Sequence, residues 1–251
     1  MQFIAVIPSR LASTRLPSKS LIDIAGKSLI QRVYEGIKDS EKLSDIYIAT
    51  DSNKILEHCN NFGANCIMTP SEMPSGTDRI WYAIKKENIE ADVILNIQGD
   101  EPFVNPKLID DFCNYLENHH DFQVGTIIKE ISNLEDLISP SVVKVVINKN
   151  NQALYFSRNP IPFVRDYPFE RWLNIGTFYK HIGIYAYKYE ILERFISLPQ
   201  SNLEKLEKLE QLRLLEDGIG YLCYETNQNL VSIDTETDLA EARKRFSEMT
   251  D

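Results

Sequence analysis

The unbroken apolar run Phe3–Ile7 constrains this chain more than any other feature. Successive strand residues face opposite ways, so such a run is buried only when both faces of its sheet are covered, the usual condition of a parallel sheet between helices. The segments that follow keep this rhythm. Beyond Pro8 lies a long polar loop, and after Gly26 the residues Leu29, Ile30, Val33 and Ile37 recur at helical spacing. Ile46–Ala49 predicts a second strand, Ile55 to Phe62 a helix closed by Gly63, and Ala64–Met68 a third strand. Ser75-Gly76-Thr77-Asp78 reads as a turn capping a helix that carries Ile80, Trp81 and Ile84. Val93–Ile97 reads as a central strand ending at Gln98-Gly99-Asp100, with a helix through Leu108, Ile109, Phe112 and Leu116 behind it. The expectation is an α/β fold with a mostly parallel sheet flanked by helices.

From about residue 124 the rhythm changes. Val142–Ile147 and Ala153–Phe156 predict a hairpin around Asn148-Lys149-Asn150-Asn151, and Ile182–Tyr187 a further strand. Pro160–Tyr179 is dense in aromatics: Phe163, Tyr167, Phe169, Trp172 and Phe178. It reads either as a protruding arm that forms a homodimer contact or as a satellite core under a long loop. Downstream the pattern predicts one helix over 202–216, strands at 221–224 and 231–233, and a terminal helix opened by a Thr235/Asp238 capping box. The expectation is one domain over 1–251, with a subregion at about 153–190 that carries the arm and its dimerisation contact.

Charge and cysteine usage narrow the partners. With a formal net charge of -10, the chain lacks the basic surface that a nucleic acid polymer requires. Cys59, Cys66, Cys113 and Cys223 show neither metal-ligand spacing nor the density of a disulfide scaffold, and read as core thiols of a reducing compartment. The first residues have no basic lead, and no apolar span approaches the roughly 20 residues of a membrane helix. A cytoplasmic protein without membrane insertion is expected.

In such sheets ligands bind beyond the carboxyl ends of the strands, which singles out Arg10, Asp51, Asp100 and Asp234. The first loop joins Arg10, Arg15 and Lys19 with Ser9, Ser13, Thr14 and Ser18. It suits a polyphosphate, though it lacks the Walker A and dinucleotide strings and reads equally as a solvated basic loop. Asp100 and Asp234 are the kind of carboxylate that shares Mg²⁺ with substrate phosphates, or else they cap helices. His58, His119 and His120 read as solvated, whereas His181 either faces a ligand or is a satisfied, partly buried histidine. On a continuous helix over 202–216, Glu210 falls within an arc of leucines, where it pairs with Arg213 or receives ligand hydroxyls.

The ordered segments Ile7-Pro8-Ser9-Arg10, Ala12-Ser13-Thr14-Arg15-Leu16-Pro17 with Lys19, Ser75-Gly76-Thr77-Asp78-Arg79 and Asn96-Ile97-Gln98-Gly99-Asp100-Glu101-Pro102 carry a resemblance. So do Ala153-Leu154-Tyr155-Phe156-Ser157-Arg158, His181-Ile182-Gly183-Ile184-Tyr185, 206–213 and Val231-Ser232-Ile233-Asp234-Thr235. Over nearly its whole length the chain resembles the bacterial 3-deoxy-manno-octulosonate (Kdo) cytidylyltransferases. The resemblance implies a Rossmann-like nucleotide-diphospho-sugar transferase sheet and Mg²⁺-dependent transfer of CMP from CTP to the anomeric hydroxyl of Kdo, in lipopolysaccharide or capsule precursor synthesis. It implies that Arg10, Ser13 and Lys19 hold the triphosphate, that Ser75, Gly76 and Arg79 lie near the nucleotide, and that Asp100 and Asp234 bind metal. Arg10, Lys19, Asp100 and Asp234 are then the catalytic set, and Gln98, Arg158, His181, Tyr185, Glu210 and Gln211 hold the sugar acid. Transfer to 8-amino-Kdo or a nonulosonate, or a non-catalytic nucleotide-binding homologue, are the alternatives. One departure stands out: Ser18 occupies the position where the family loop has glycine, which matters if that residue needs a positive φ.

Overall fold

The computed structural model describes residues 1–12 and 16–249, which divide into two compact units: Met1–Asn114 with Asn229–Asp251, and Tyr115–Gln228.

In the first unit β1 (Phe3–Ser9) pairs in parallel with β4 (Leu43–Thr50) on one side and with β6 (Val93–Ile97) on the other; β5 (Asn65–Met68) extends the sheet beyond β4, also in parallel. The strand order is β6-β1-β4-β5. Phe3, Ile4, Ala5, Val6 and Ile7 are all buried, as the apolar run requires. Contrary to the sequence reading, β1 does not stop at Pro8. Its pairing with β6 ends at Val6, so proline's missing N–H interrupts no ladder on that side, and Ser9 still pairs with Thr50 of β4.

A two-residue ribbon, β2 (Asp23–Ile24) with β3 (Lys27–Ser28), leads into α1 (Leu29–Ile37), whose N-cap Ser28 accepts from the Gln31 amide. Leu29, Ile30, Val33 and Ile37 form its buried face. α2 (Asn53–Asn61), α3 (Gly76–Lys86), α4 (Pro106–Glu117) and the terminal α10 (Glu236–Glu248) follow. Ser75 caps α3 by accepting from the Asp78 amide, and Thr235 with Asp238 closes a full capping box on α10. His58 is no solvated side chain: its Nε2 lies 2.7 Å from Ser28 Oγ and its ring packs edge-on against Phe62.

The second unit is mixed. β7 (Val124–Glu130) pairs in parallel with β11 (Tyr221–Glu225) and antiparallel with β10 (Tyr179–Lys188); β8 (Lys144–Ile147) is antiparallel to both β10 and β9 (Ala153–Ser157). The expected hairpin and antiparallel addition are therefore present, and β7 is a strand the sequence pattern did not disclose. Short helices α5 (Leu134–Ile138), α6 (Trp172–Ile175) and α7 (Tyr189–Ser197) cover it. Trp172 and Phe178 are buried with Ile131 and Leu137, and Phe169 packs on them, so part of the aromatic segment forms a satellite core. Phe163 and Tyr167 remain exposed, at 76% and 45%.

Two further expectations fail. The helix over 202–216 is broken into α8 (Asn202–Glu207) and α9 (Leu212–Glu216), because Lys208 adopts a left-handed conformation at φ 55° that no α-helix continues through. The leucine arc derived from a continuous helix dissolves accordingly, with Leu206 72% exposed while Leu209, Leu212 and Leu214 are buried. Residues 231–233 form no strand. The Ile233 amide donates to the Asp100 carbonyl (2.9 Å) instead of to a ladder.

Candidate active site

The loops leaving β1, β4 and β6 share the carboxyl end of the parallel sheet, and the longest of them returns through a 3₁₀ turn at Lys19–Leu21. Three contacts shape it. Ser9 Oγ donates to Ser20 Oγ (2.8 Å), tying the loop's two ends together; the Leu11 amide donates to Asp51 Oδ1 (3.2 Å); and the Leu21 amide donates to the Ser18 carbonyl (2.8 Å). Ser18 has φ 53° and ψ 34°, the left-handed region. The position thus has the conformation that glycine adopts freely and serine does not.

Lys19 Nζ lies 2.8 Å from Asp100 Oδ2 and 3.0 Å from Asp234 Oδ1. Residues 81 and 215 positions apart in sequence with Lys19 therefore meet on one ammonium. Asp234 is positioned by the Ile233–Asp100 backbone bond and by its own amide, which donates to Asp238 Oδ2 (2.9 Å). Its place comes from this bond and from the capping box, rather than from a strand end. Gly99 holds Asp100 close to β1, since a Cβ there would stand 3.1 Å from the Pro8 carbonyl oxygen. Gln98 donates from Nε2 to Asn96 Oδ1 (2.8 Å).

Glu101, beside Asp100, was not singled out from sequence. It is buried, accepts a hydrogen bond from Ser232 Oγ, and its Oε2 has no partner among the described residues. Burial first, and then the Asp100 charge, push its carboxyl up to about 8.

Arg79 is buried, donating from Nη2 to Asp51 Oδ2 (2.9 Å) and from Nη1 to Thr69 Oγ1 and the Pro70 carbonyl (3.3 Å). Asp51 thus accepts from both Arg79 and the loop amide of Leu11. Gly76 begins α3, and a Cβ there would be 3.3 Å from Pro8 Cγ. Arg10 is exposed. Ser13 lies outside the described residues, as do Thr14 and Arg15.

Two converging carboxylates already held on one positive charge offer hard oxygen donors. Among the described residues no group of three or more acidic, histidine or cysteine side chains encloses an ion by itself. Mg²⁺ characteristically takes one or two carboxylates and completes its shell with water and phosphate oxygens. The Asp100–Asp234 pair fits that ion in company with a polyphosphate.

The second unit carries the other predicted residues. Arg158 Nε donates to the Glu207 carbonyl (2.7 Å) and Nη1 to the Pro140 carbonyl (2.8 Å), while the Glu207 carboxylate accepts from Ser157 Oγ (2.7 Å) and the Arg158 amide (3.0 Å). His181 lies edge-on to Phe156 and near Tyr185, and burial pushes its imidazole down to about 3, so it is neutral at physiological pH. Tyr185 is buried and donates to Gln211 Oε1 (3.1 Å); burial, then the nearby Glu210 charge, raises its phenol. Arg213 makes a two-point ion pair with Glu204 at 2.6 and 2.9 Å. This unit therefore gathers His181, Glu210 and Gln211 around Tyr185, and the first unit gathers Lys19, Asp100 and Asp234.

Comparison with known proteins shows the family. The family described as "Cytidylyltransferase" matches residues 4–233. The 3-deoxy-manno-octulosonate cytidylyltransferase of Thermodesulfovibrio yellowstonii is 44% identical over 250 residues, covering 97% of this chain and 98% of that protein. The enzyme of the same name from Chloroherpeton thalassium is 44% identical over 246 residues, covering 97% of each. The solved structure of a CMP:2-keto-3-deoxy-manno-octonic acid synthetase complexed with CTP superposes with a TM-score of 0.91 at 36% identity, covering 99% of this chain and 100% of the other. A Leptospira borgpetersenii cytidylyltransferase at 17% identity and a TM-score of 0.65 shares the fold. Among the described residues no helix is long and apolar enough to cross a membrane. By sequence over nearly its full length and by fold, the chain belongs to the 3-deoxy-manno-octulosonate cytidylyltransferase family.

Proposed function

We propose that the chain transfers CMP from CTP to the anomeric hydroxyl of Kdo, releasing pyrophosphate, with Mg²⁺ as its cofactor. The convergence of Asp100 and Asp234 on the Lys19 ammonium is the observation that carries this reading. The anomeric oxygen attacks the α-phosphorus, the bond from that phosphorus to the bridging oxygen breaks, and the hydroxyl proton leaves to solvent. Asp100 and Asp234 would hold the Mg²⁺, which when bound would supply Lewis-acid stabilisation of charge on the phosphate oxygens. Lys19 has two of its three N–H groups on the aspartates, so one is available to phosphate, and Arg10 adds a second cation at the open end of the loop. Ser13 belongs to the same proposed triphosphate contact. Arg79 is committed to Asp51, Thr69 and Pro70, so its part is to brace the Asp51–Leu11 contact and with it the nucleotide loop; Ser75 and Gly76 supply the amide end of α3. No protein nucleophile is required, since the sugar oxygen is the attacking atom.

Gln98, Arg158, His181, Tyr185, Glu210 and Gln211 are proposed to hold the sugar acid. A neutral His181 suits hydroxyl recognition and not carboxylate binding. We further propose a cytoplasmic homodimer using the exposed Phe163 and Tyr167; a monomer mass by light scattering at micromolar concentration would refute it. The test of function is pyrophosphate release from CTP with Kdo and Mg²⁺. Turnover with 8-amino-Kdo or a nonulosonate but not Kdo would reassign the acceptor and keep the class, and no turnover with any of them would sink the enzymatic reading.

A further inference from the structure

At the β-bulge where β10 shifts register against β7, between Ile182 and Tyr185, the fully buried Thr126 meets two groups at once. Its Oγ1 donates to the Ile184 carbonyl at 2.9 Å and lies 2.9 Å from His181 Nε2. A carbonyl oxygen only accepts, so the single hydroxyl proton is spent on Ile184. The oxygen then faces Nε2 with lone pairs alone, and the short contact requires the proton to sit on the ring nitrogen. The described residues form no hydrogen bond to Nδ1, and His181 as a residue is half-buried. Phe156 and Tyr185, with ring centroids 5.2 Å away, restrain its rotation.

We propose that Thr126 is a positioning residue that holds His181 in the Nε2–H tautomer, leaving Nδ1 as a bare acceptor for a hydroxyl of the sugar acid. The acceptor role rests on the reading that His181 touches that substrate; the tautomer does not. With Nε2 satisfied internally, the site demands a donor from the ligand at Nδ1 and penalises an analogue that presents an acceptor or nothing there.

The test combines ¹⁵N-histidine NMR with steady-state kinetics on the intact protein, the His181 signals being identified by their loss in His181→Gln. The wild type is expected to carry its proton on Nε2, and Thr126→Ser to keep that tautomer with a KM for Kdo close to wild type. Thr126→Val, which preserves shape and removes the hydroxyl, should lose the single tautomer and raise the KM for Kdo by about 3- to 10-fold, the worth of one neutral hydrogen bond, with the KM for CTP unchanged. A general structural defect would instead move both constants, and Thr126→Ser would not separate from Thr126→Val. An Nδ1–H tautomer in the wild type, with His181→Gln still impaired toward Kdo, overturns the lock alone. An unchanged KM for Kdo in His181→Gln overturns the acceptor role and the reading beneath it. If Thr126→Val does not fold, the wild-type and Thr126→Ser spectra decide.

Discussion

Two ion clusters in this molecule use the same chemistry for opposite ends. Arg213 and Glu204 have side chains only 6% and 5% exposed, whereas Lys19 is 15% exposed and its partners Asp100 and Asp234 are 30% and 33%. The buried pair is fully committed: Glu204 also accepts from the Ser201 amide in the α8 capping box, and Arg213 also reaches the Phe195 carbonyl (3.4 Å) and lies over the Phe195 ring. In the open cluster, among the described residues, two carboxylates meet on one ammonium with a buried third carboxyl beside them. A satisfied pair in low dielectric organises its surroundings and becomes costly when broken. A half-buried one reached by solvent is screened and contributes less, so its arrangement is best understood by what it can bind.

Four measurements test that contrast. The largest effect is expected in the buried pair, where Glu204→Ala strands Arg213 as a desolvated charge and should cost about 3–5 kcal/mol of stability, read by denaturant unfolding; a loss within the range of a surface pair would erase the distinction. Asp100→Asn and Asp234→Asn should behave conversely, with melting curves close to wild type and turnover lower by at least about 10²-fold. Near-normal kcat in either folded variant at saturating CTP and Mg²⁺ would make that aspartate a bystander.

His181 gives a pH signature of intermediate size. Its imidazole is held down to about 3 against an ordinary 6.5, so the folded state binds less proton than the unfolded chain. Its contribution to stability is full above pH 6.5 and is lost as pH falls, by at most about 1.4 kcal/mol per unit, less because the residue is only half-buried. The gap in melting temperature between wild type and His181→Gln should therefore change between pH 7 and 5, with the wild type losing more; parallel curves would mean the imidazole titrates normally. The smallest effect is Ser18→Gly, which relieves a left-handed serine and should add about 1 kcal/mol, or about 2–4 °C in melting temperature. An unchanged or lower melting temperature would show that the serine is not strained.

Legibility divides along similar lines. Phe3–Ile7 could be placed because a strand buried on both faces leaves no polar position to misread, and Thr235 with Asp238 because a capping box is local. β7 (Val124–Glu130) is not legible as a strand, with Gly125 interrupting its apolar run and Lys129 and Glu130 ending it. The break at Lys208 was invisible because a left-handed lysine carries no residue-type signal of the kind glycine would give. Asp51 is marked by its place after a strand, but its partner Arg79 is 28 residues away and on another element.

The sequence by itself determined the α/β architecture, the loop cations and strand-end carboxylates, and the family, since these follow from local periodicity and from residue types at fixed short spacing. Only the tertiary structure decided that Asp234 is set by the Asp100 carbonyl instead of a strand, that Glu101 is buried, that Arg213 is committed to Glu204, and that Thr126 meets both His181 Nε2 and the Ile184 carbonyl. Each of these depends on which donor meets which acceptor across long stretches of chain, and on how much water is left between them. Neither quantity is a property of any short segment.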